Sequence, residues 1–299
     1  MKIGYPCINL TLDCRSSQTF RLKNYSNEKL IETIDGNLKC LFEILKYNVS
    51  HNFYFFRITS DLIPFASHPI MDFSWQSYFR PKFRQLGNFI KENKIRISMH
   101  PGQYTVLNSN NQKVFKNSIK DLQYHVEVLD LMELNKTAKV GIHIGGVYGD
   151  KKASVERFKK RYFDLEERVK NRLIIENDDK SYDLEDCLDI NKSIGIPIAF
   201  DIYHHECLHN GKQLADAFKF FTQTWKKDDG IPIVHYSSEH PIKGKCKHAE
   251  TIDLKHFKKF LVNTRNFNFD IMLEIKDKEK SALIALEILN NDPRFNKNF

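Results

Sequence analysis

The chain of 299 residues is 41% hydrophobic and 28% charged, with a formal net charge of +8 and an isoelectric point near 9.0. No run is long and apolar enough to cross a bilayer, and the opening MKIGYPCINL lacks the longer apolar segment of a signal peptide, so a cytoplasmic protein is expected. The apolar content suffices for a sizeable core, and no Pro-, Gly- or Ser-rich linker divides the chain, so one domain is expected over residues 1–299, while the basic balance suits a polyanionic partner without identifying it.

Taken in chain order, eight strand-like apolar runs stand out: KIGYPCIN (2–9), NFYFFRIT (52–59), IRISMH (95–100), KVGIHIGG (139–146), RLIIEN (172–177), PIAFDIY (197–203), IPIVHYSS (231–238) and FDIMLEIK (269–276). Amphipathic stretches fill the gaps. SNEKLIETIDGNLKCLFEILKYN opens on Ser26 and carries Leu30, Ile34, Leu38, Leu41 and Leu45 along one side. SIKDLQYHVEVLDLMEL reads likewise, and DLEDCLDINKSIG closes on Gly195 as a helix stop. Strand then helix, repeated about eight times, predicts an α/β fold, a (β/α)₈ TIM barrel, with an open doubly wound sheet as the alternative.

Alternation within the runs assigns faces. In KVGIHIGG, Val140, Ile142 and Ile144 point toward helices, which leaves Gly141, His143 and Gly145 for the barrel interior. Ile233 shares a face with His235, and Met272 with Glu274. Asp201 and His204, three apart, cannot share a strand face, so His204 is expected on the loop beyond the strand, serving a different cation from Asp201.

The ends of these runs carry the chemistry. His100, His143, Glu176, Asp201, His204, His235 and Glu274 sit at or just past them. One such histidine is more often a hydrogen-bonded structural residue, and one such aspartate a cap of the next helix. Parallel strands, however, would bring all seven to one rim. Apolar runs rarely end in groups so costly to desolvate without compensation. A cluster of metal ions supplies it: the mixture of imidazole and carboxylate suits zinc, manganese or iron, and several carboxylates suggest bridging of closely spaced ions that activate water and offset charge in phosphoryl transfer. Just past one rim run, Lys151, Lys152, Arg157, Lys159, Lys160 and Arg161 suit a phosphate backbone. The cysteines (Cys7, Cys14, Cys40, Cys187, Cys207, Cys246) form no CxxC pair and are expected as reduced, structural thiols.

GYPCINLTL, FRITSDLIPFASHP, ISMHPGQYTVLNS, HIGGVYGDKKAS, IIENDDKSY, FDIYHH, VHYSSEHP, HAETI and FDIMLEIKDKE closely resemble the UV damage endonuclease family, from residue 3 to about residue 286. The related apurinic-site endonucleases share the barrel but lack the MHPGQYTVLNS and YGDK wording. The resemblance implies a bacterial, nucleoid-associated repair enzyme that nicks double-stranded DNA on the 5′ side of cyclobutane dimers, 6-4 photoproducts and abasic sites. It implies two to three divalent ions, manganese first, with zinc, cobalt or iron as alternatives. His100, His143 and Glu176 would hold one ion, Glu176 bridging to a second bound by Asp201, His235 and Glu274, and His204 and His248 would hold the third. Gln103 and Tyr104 match the pair that wedges into the duplex at the lesion, and Tyr5 and Asn9 match residues lining the lesion pocket, while Lys276 and Lys278 stand where phosphate contacts would fall. No obligate protein partner is expected, and a monomer is.

One position departs from the family. The lysine it usually carries two residues before the histidine of VHYSS, modified to a carbamate that helps hold the third ion, is Ile233 here. A third site weaker than the others, or empty, is therefore expected, with water or Glu250 completing its shell. The readings from other classes are a sugar isomerase or epimerase on the same barrel, and a lesion-binding protein with impaired catalysis.

Overall fold

The computed structural model describes residues 1–209, 211–242, 244 and 246–295, so residues 210, 243, 245 and 296–299 of the expected domain lie outside the described residues. Eight strands, β1 (Ile3–Pro6), β2 (Phe55–Ile58), β3 (Arg96–Met99), β4 (Lys139–His143), β5 (Leu173–Glu176), β6 (Ile198–Asp201), β7 (Ile233–Tyr236) and β8 (Asp270–Leu273), pair in parallel and in sequence order, and β8 closes on β1. Each of the eight apolar runs holds one strand, trimmed at both ends except in β4, which starts with its run at Lys139. The barrel, not the open sheet, is the fold.

The helices of the described residues are α1 (Asn27–Ser50), α2 (Trp75–Glu92), α3 (Gln112–Leu131), α4 (Lys151–Phe163), α5 (Glu167–Lys170), α6 (Leu184–Ile194), α7 (Ile202–Cys207), α8 (Leu214–Thr222), α9 (Leu254–Asn263) and α10 (Glu279–Leu289). Local chemistry sets their ends. The Ser26 hydroxyl accepts from Lys29 N at 3.2 Å to start α1. Asp183 and Asp186 form a reciprocal capping box on α6, which stops at Gly195 with φ +75°, a left-handed conformation that glycine adopts without a Cβ penalty.

The inside of the barrel is layered, and the layering positions the site. Its middle is apolar: Phe55, Ile174, Ala199, Ile233 and Met272 pack together, all fully or almost fully buried. Two residues further along each strand, on the same face, stand Arg57, Glu176, Asp201, His235 and Glu274. Two residues earlier on β8 lies Asp270, paired with Arg96 at 2.6 Å, and near it Lys139 reaches Asp229 at 2.6 Å. An apolar plug thus separates a charged floor from a charged rim, and outside the strands a second cluster, including Ile3, Val140, Ile142 and Ile175, packs against the helices.

The cysteines correct an expectation. Cys14 is bonded to Cys40 and Cys207 to Cys246, with Cα–Cα distances of 5.7 and 5.8 Å, while Cys7 and Cys187 remain thiols. The partners are 26 and 39 residues apart, so only the folded loops bring them together and no local spacing signals them.

Candidate metal centre

His100 follows β3 directly, His143 and Glu176 end β4 and β5, Asp201 ends β6, His235 lies in β7 and Glu274 follows β8. Two groups of potential ligand atoms result, each with all members within 4.8 Å of one another: His100, His143 and Glu176, and then Glu176, Asp201, His235 and Glu274. Glu176 belongs to both. Its Oε2 lies 3.3 Å from His100 Nε2 and its Oε1 3.0 Å from His235 Nδ1. The imidazoles continue as a row, with ring centroids 5.4 Å apart for His100–His143, 5.7 Å for His143–His204 and 5.9 Å for His204–His248.

Backbone carbonyls preset two of these rings. His100 Nδ1–H donates to Pro101 O and His204 Nδ1–H to Asn177 O, both at 2.9 Å, which leaves each Nε2 a lone pair. Asp201 does two things. Its Oδ1 caps α7 by accepting from His204 N at 2.7 Å, while its Oδ2 is buried with no hydrogen-bond partner among the described residues. His204 therefore lies in the first turn of a helix rather than on the expected loop, 3.7 Å from Asp201 Oδ2 and 3.6 Å from Glu176 Oε1. Neither His204 nor His248 joins the two close groups.

The electrostatics follow from burial and charge. Burial alone would push Glu176 up, but His235 and His143 facing it hold it well below the usual carboxylate range. Glu274 is likewise held low, Arg57 and His235 outweighing burial. At Asp201 burial wins over the attraction of His204, and Glu176 and Glu274 add repulsion, so this carboxyl is pushed up to about 7. His204 goes the other way: Asp201 and Glu176 outweigh burial and raise it to about 9. Burial pushes His143 and His248 down, toward the neutral form that ligates. Carboxylates crowded in a dry rim with orphaned acceptor atoms at Asp201 Oδ2 and His143 Nδ1 fit divalent cations.

Arg57 was not among the sequence candidates. On β2, which supplies none of the expected ligands, its guanidinium meets Glu274 Oε1 at 2.6 Å and His235 Nε2 at 2.8 Å. An arginine inside the apolar run NFYFFRIT, on the inward-facing parity, was the available signal.

Other expected residues are placed differently. Gln103 is exposed and Tyr104 is 83% exposed, on the loop that follows His100. Tyr5 is fully buried between Phe53 and Phe56, its hydroxyl donates to Asn48 and accepts from Asn9, and the Asn9 oxygen accepts from Thr11 N and Leu12 N. Lys276 is paired with Glu250 at 2.7 Å, and Lys278 adopts φ +54°. Much of the basic segment is engaged internally: Arg157 donates to Asn108 O and Arg161 to Leu107 O and Ser109 O, each at 2.6 Å, and Lys159 pairs with Asp189 and Glu156. Ile233 lies one layer below His235 in the apolar plug, without a lone pair to offer.

A parallel barrel with a buried imidazole and carboxylate cluster on its C-terminal rim defines a TIM-barrel protein with two candidate cation-holding groups there. The family described as UV-endonuclease UvdE matches residues 1–297, and the chain belongs to it. It is an endonuclease of ultraviolet-damaged DNA. The UV DNA damage endonuclease of Clostridium perfringens (strain 13 / Type A) is 43% identical over 291 residues, covering 97% of this chain and 71% of that one. The crystal structure of SacUVDE superposes with a TM-score of 0.94 at 40% identity, covering 99% of this chain and all of that one. D-psicose 3-epimerase superposes at 0.61 with 12% identity over 99% of this chain and all of that one, a likeness of fold alone.

Proposed function

We propose that the chain nicks duplex DNA on the 5′ side of cyclobutane dimers and 6-4 photoproducts, and at abasic sites, using two to three divalent cations, manganese foremost, at the rim. The observation that carries this is the membership of Glu176 in both ligand groups, since one buried carboxylate between two cation positions is what a bridged pair needs. Bound cations would supply Lewis acidity, activating water and offsetting charge at the phosphorus. His100, His143 and Glu176 form one half of the cradle and Asp201, His235 and Glu274 the other, with His204 and His248 at its edge. The residues orient the reacting phosphate and keep the rim dry below it, because the apolar layer under His235 and Glu274 excludes water from that side.

Tyr104 with Gln103 supplies the wedge: an exposed ring and amide can fill the gap left when poorly stacked bases leave the duplex. With Ile233 in the apolar layer, a third cation at His204 and His248 would be held weakly, and Glu250, engaged by Lys276 at 2.7 Å, is not free to complete it. Irradiated and intact supercoiled plasmid incubated with manganese and the purified protein make the test. Nicking confined to irradiated DNA and stopped by a chelator is expected; intact irradiated plasmid would sink the reading.

A further inference from the structure

Resting on the reading that the rim holds divalent cations, we propose that Arg57 is a positioning residue: one arm of its planar fork presents Glu274 to the cation shared with Glu176 and Asp201, and the other arm is anchored on His235. Arg57 is 7% exposed. Of the four members of the second ligand group, two are held by this one side chain, through Nη1 to Glu274 Oε1 at 2.6 Å and Nη2 to His235 Nε2 at 2.8 Å. Arg57 can only donate, so His235 Nε2 accepts and the neutral ring carries its proton on Nδ1, which faces Glu176 at 3.0 Å and Glu274 at 3.5 Å. The His235 ring is thereby fixed from behind, with its Nδ1–H turned to the two carboxylates. Arg57 stands two residues beyond Phe55 on the same face of β2, so the apolar layer supports it from below and its rotamers are few.

A second role for a buried cation beside three carboxylates is simple charge balance, and the two roles predict opposite results. If Arg57 only neutralises, removing it should tighten cation binding, because a repelling charge is gone. If it positions, removing it loosens binding although the site becomes more negative. Lysine separates them further: it keeps the charge but, as a point donor on a flexible stem, cannot hold two partners in a fixed fork.

The experiment is calorimetric titration of Mn²⁺ into chelator-stripped wild type, Arg57→Met and Arg57→Lys, with circular dichroism to establish folding and steady-state incision of irradiated duplex. Binding weakened on the order of 10- to 100-fold in Arg57→Met is expected, with an intermediate loss in Arg57→Lys and a fall in kcat at little-changed KM. Unchanged or tighter Mn²⁺ binding in either folded variant overturns the role of Arg57. Should Arg57→Met fail to fold, Arg57→Lys alone decides, since charge balance predicts no change there. A wild type that takes up no Mn²⁺ overturns the cation reading of the rim as well.

Discussion

Among single residues, Glu176 should be the most damaging carboxylate to remove, because it alone belongs to both ligand groups. Glu176→Gln is expected to abolish incision while sparing binding to irradiated duplex; turnover within about tenfold of wild type, a barrier change of roughly 1.4 kcal/mol, would exclude the bridging role. A second residue-scale expectation concerns pH. His256 is raised by its hydrogen bond to Glu206, 2.9 Å away, against the effect of burial. A folded value above the unfolded one means that the contribution is present below the ordinary histidine range and is lost as pH rises through the raised value. His256→Gln should therefore lower the unfolding free energy obtained from urea titration at pH 6 more than at pH 9, by about 1 kcal/mol at most for so exposed a pair, and equal losses at both pH values would refute it. The residues that gather at the rim were legible because each interrupts an apolar run where desolvation is expensive. Arg57 was not, since alternation shows which way a side chain points but not what it meets across the barrel. The surroundings of Tyr5 were not legible for a related reason: its parity on β1 sends the ring into the packing around Phe53 and Phe56.

At the scale of elements, the loop between β3 and α3 is held along its far half. Thr105 donates to Asp121 at 2.5 Å, Val106 N to Ser118 at 2.8 Å and Asn108 to Gly146 O at 2.8 Å, while Arg157 and Arg161 of α4 grip its carbonyls. Gly145, at φ +113°, must be glycine there: a Cβ would lie 2.3 Å from Asn108 Oδ1. The tip with Gln103 and Tyr104 is exposed on a braced stem. Replacing both by alanine should cut the preference for irradiated over intact duplex by more than it cuts affinity for either, as measured by fluorescence anisotropy; equal losses on both duplexes would refute the wedge. Strands and long helices were legible from period and caps, which are local. What α4 does was not, because a Lys/Arg-rich helix reads the same whether its cations face phosphate or the carbonyls of a neighbouring loop. The disulfides escaped for the same reason, joining segments that only the closed barrel makes neighbours.

For the whole molecule, cations that bind only the folded rim should stabilise it by mass action, about 2.7 kcal/mol at a hundredfold excess over Kd. A rise of several degrees in melting temperature with manganese, abolished in Glu176→Gln, is expected in calorimetry, and no shift would count against cation binding. The covalent path from rim to tip has a further meaning. Tyr104 lies four residues beyond His100, in a turn closed by Thr105 N donating to Gly102 O at 3.0 Å. That turn sets the exposed ring at one place beside the rim, so a ring entering the duplex at a lesion would fix which bond lies over the rim. Lesions of different shape should then be nicked at one constant offset and differ only in rate.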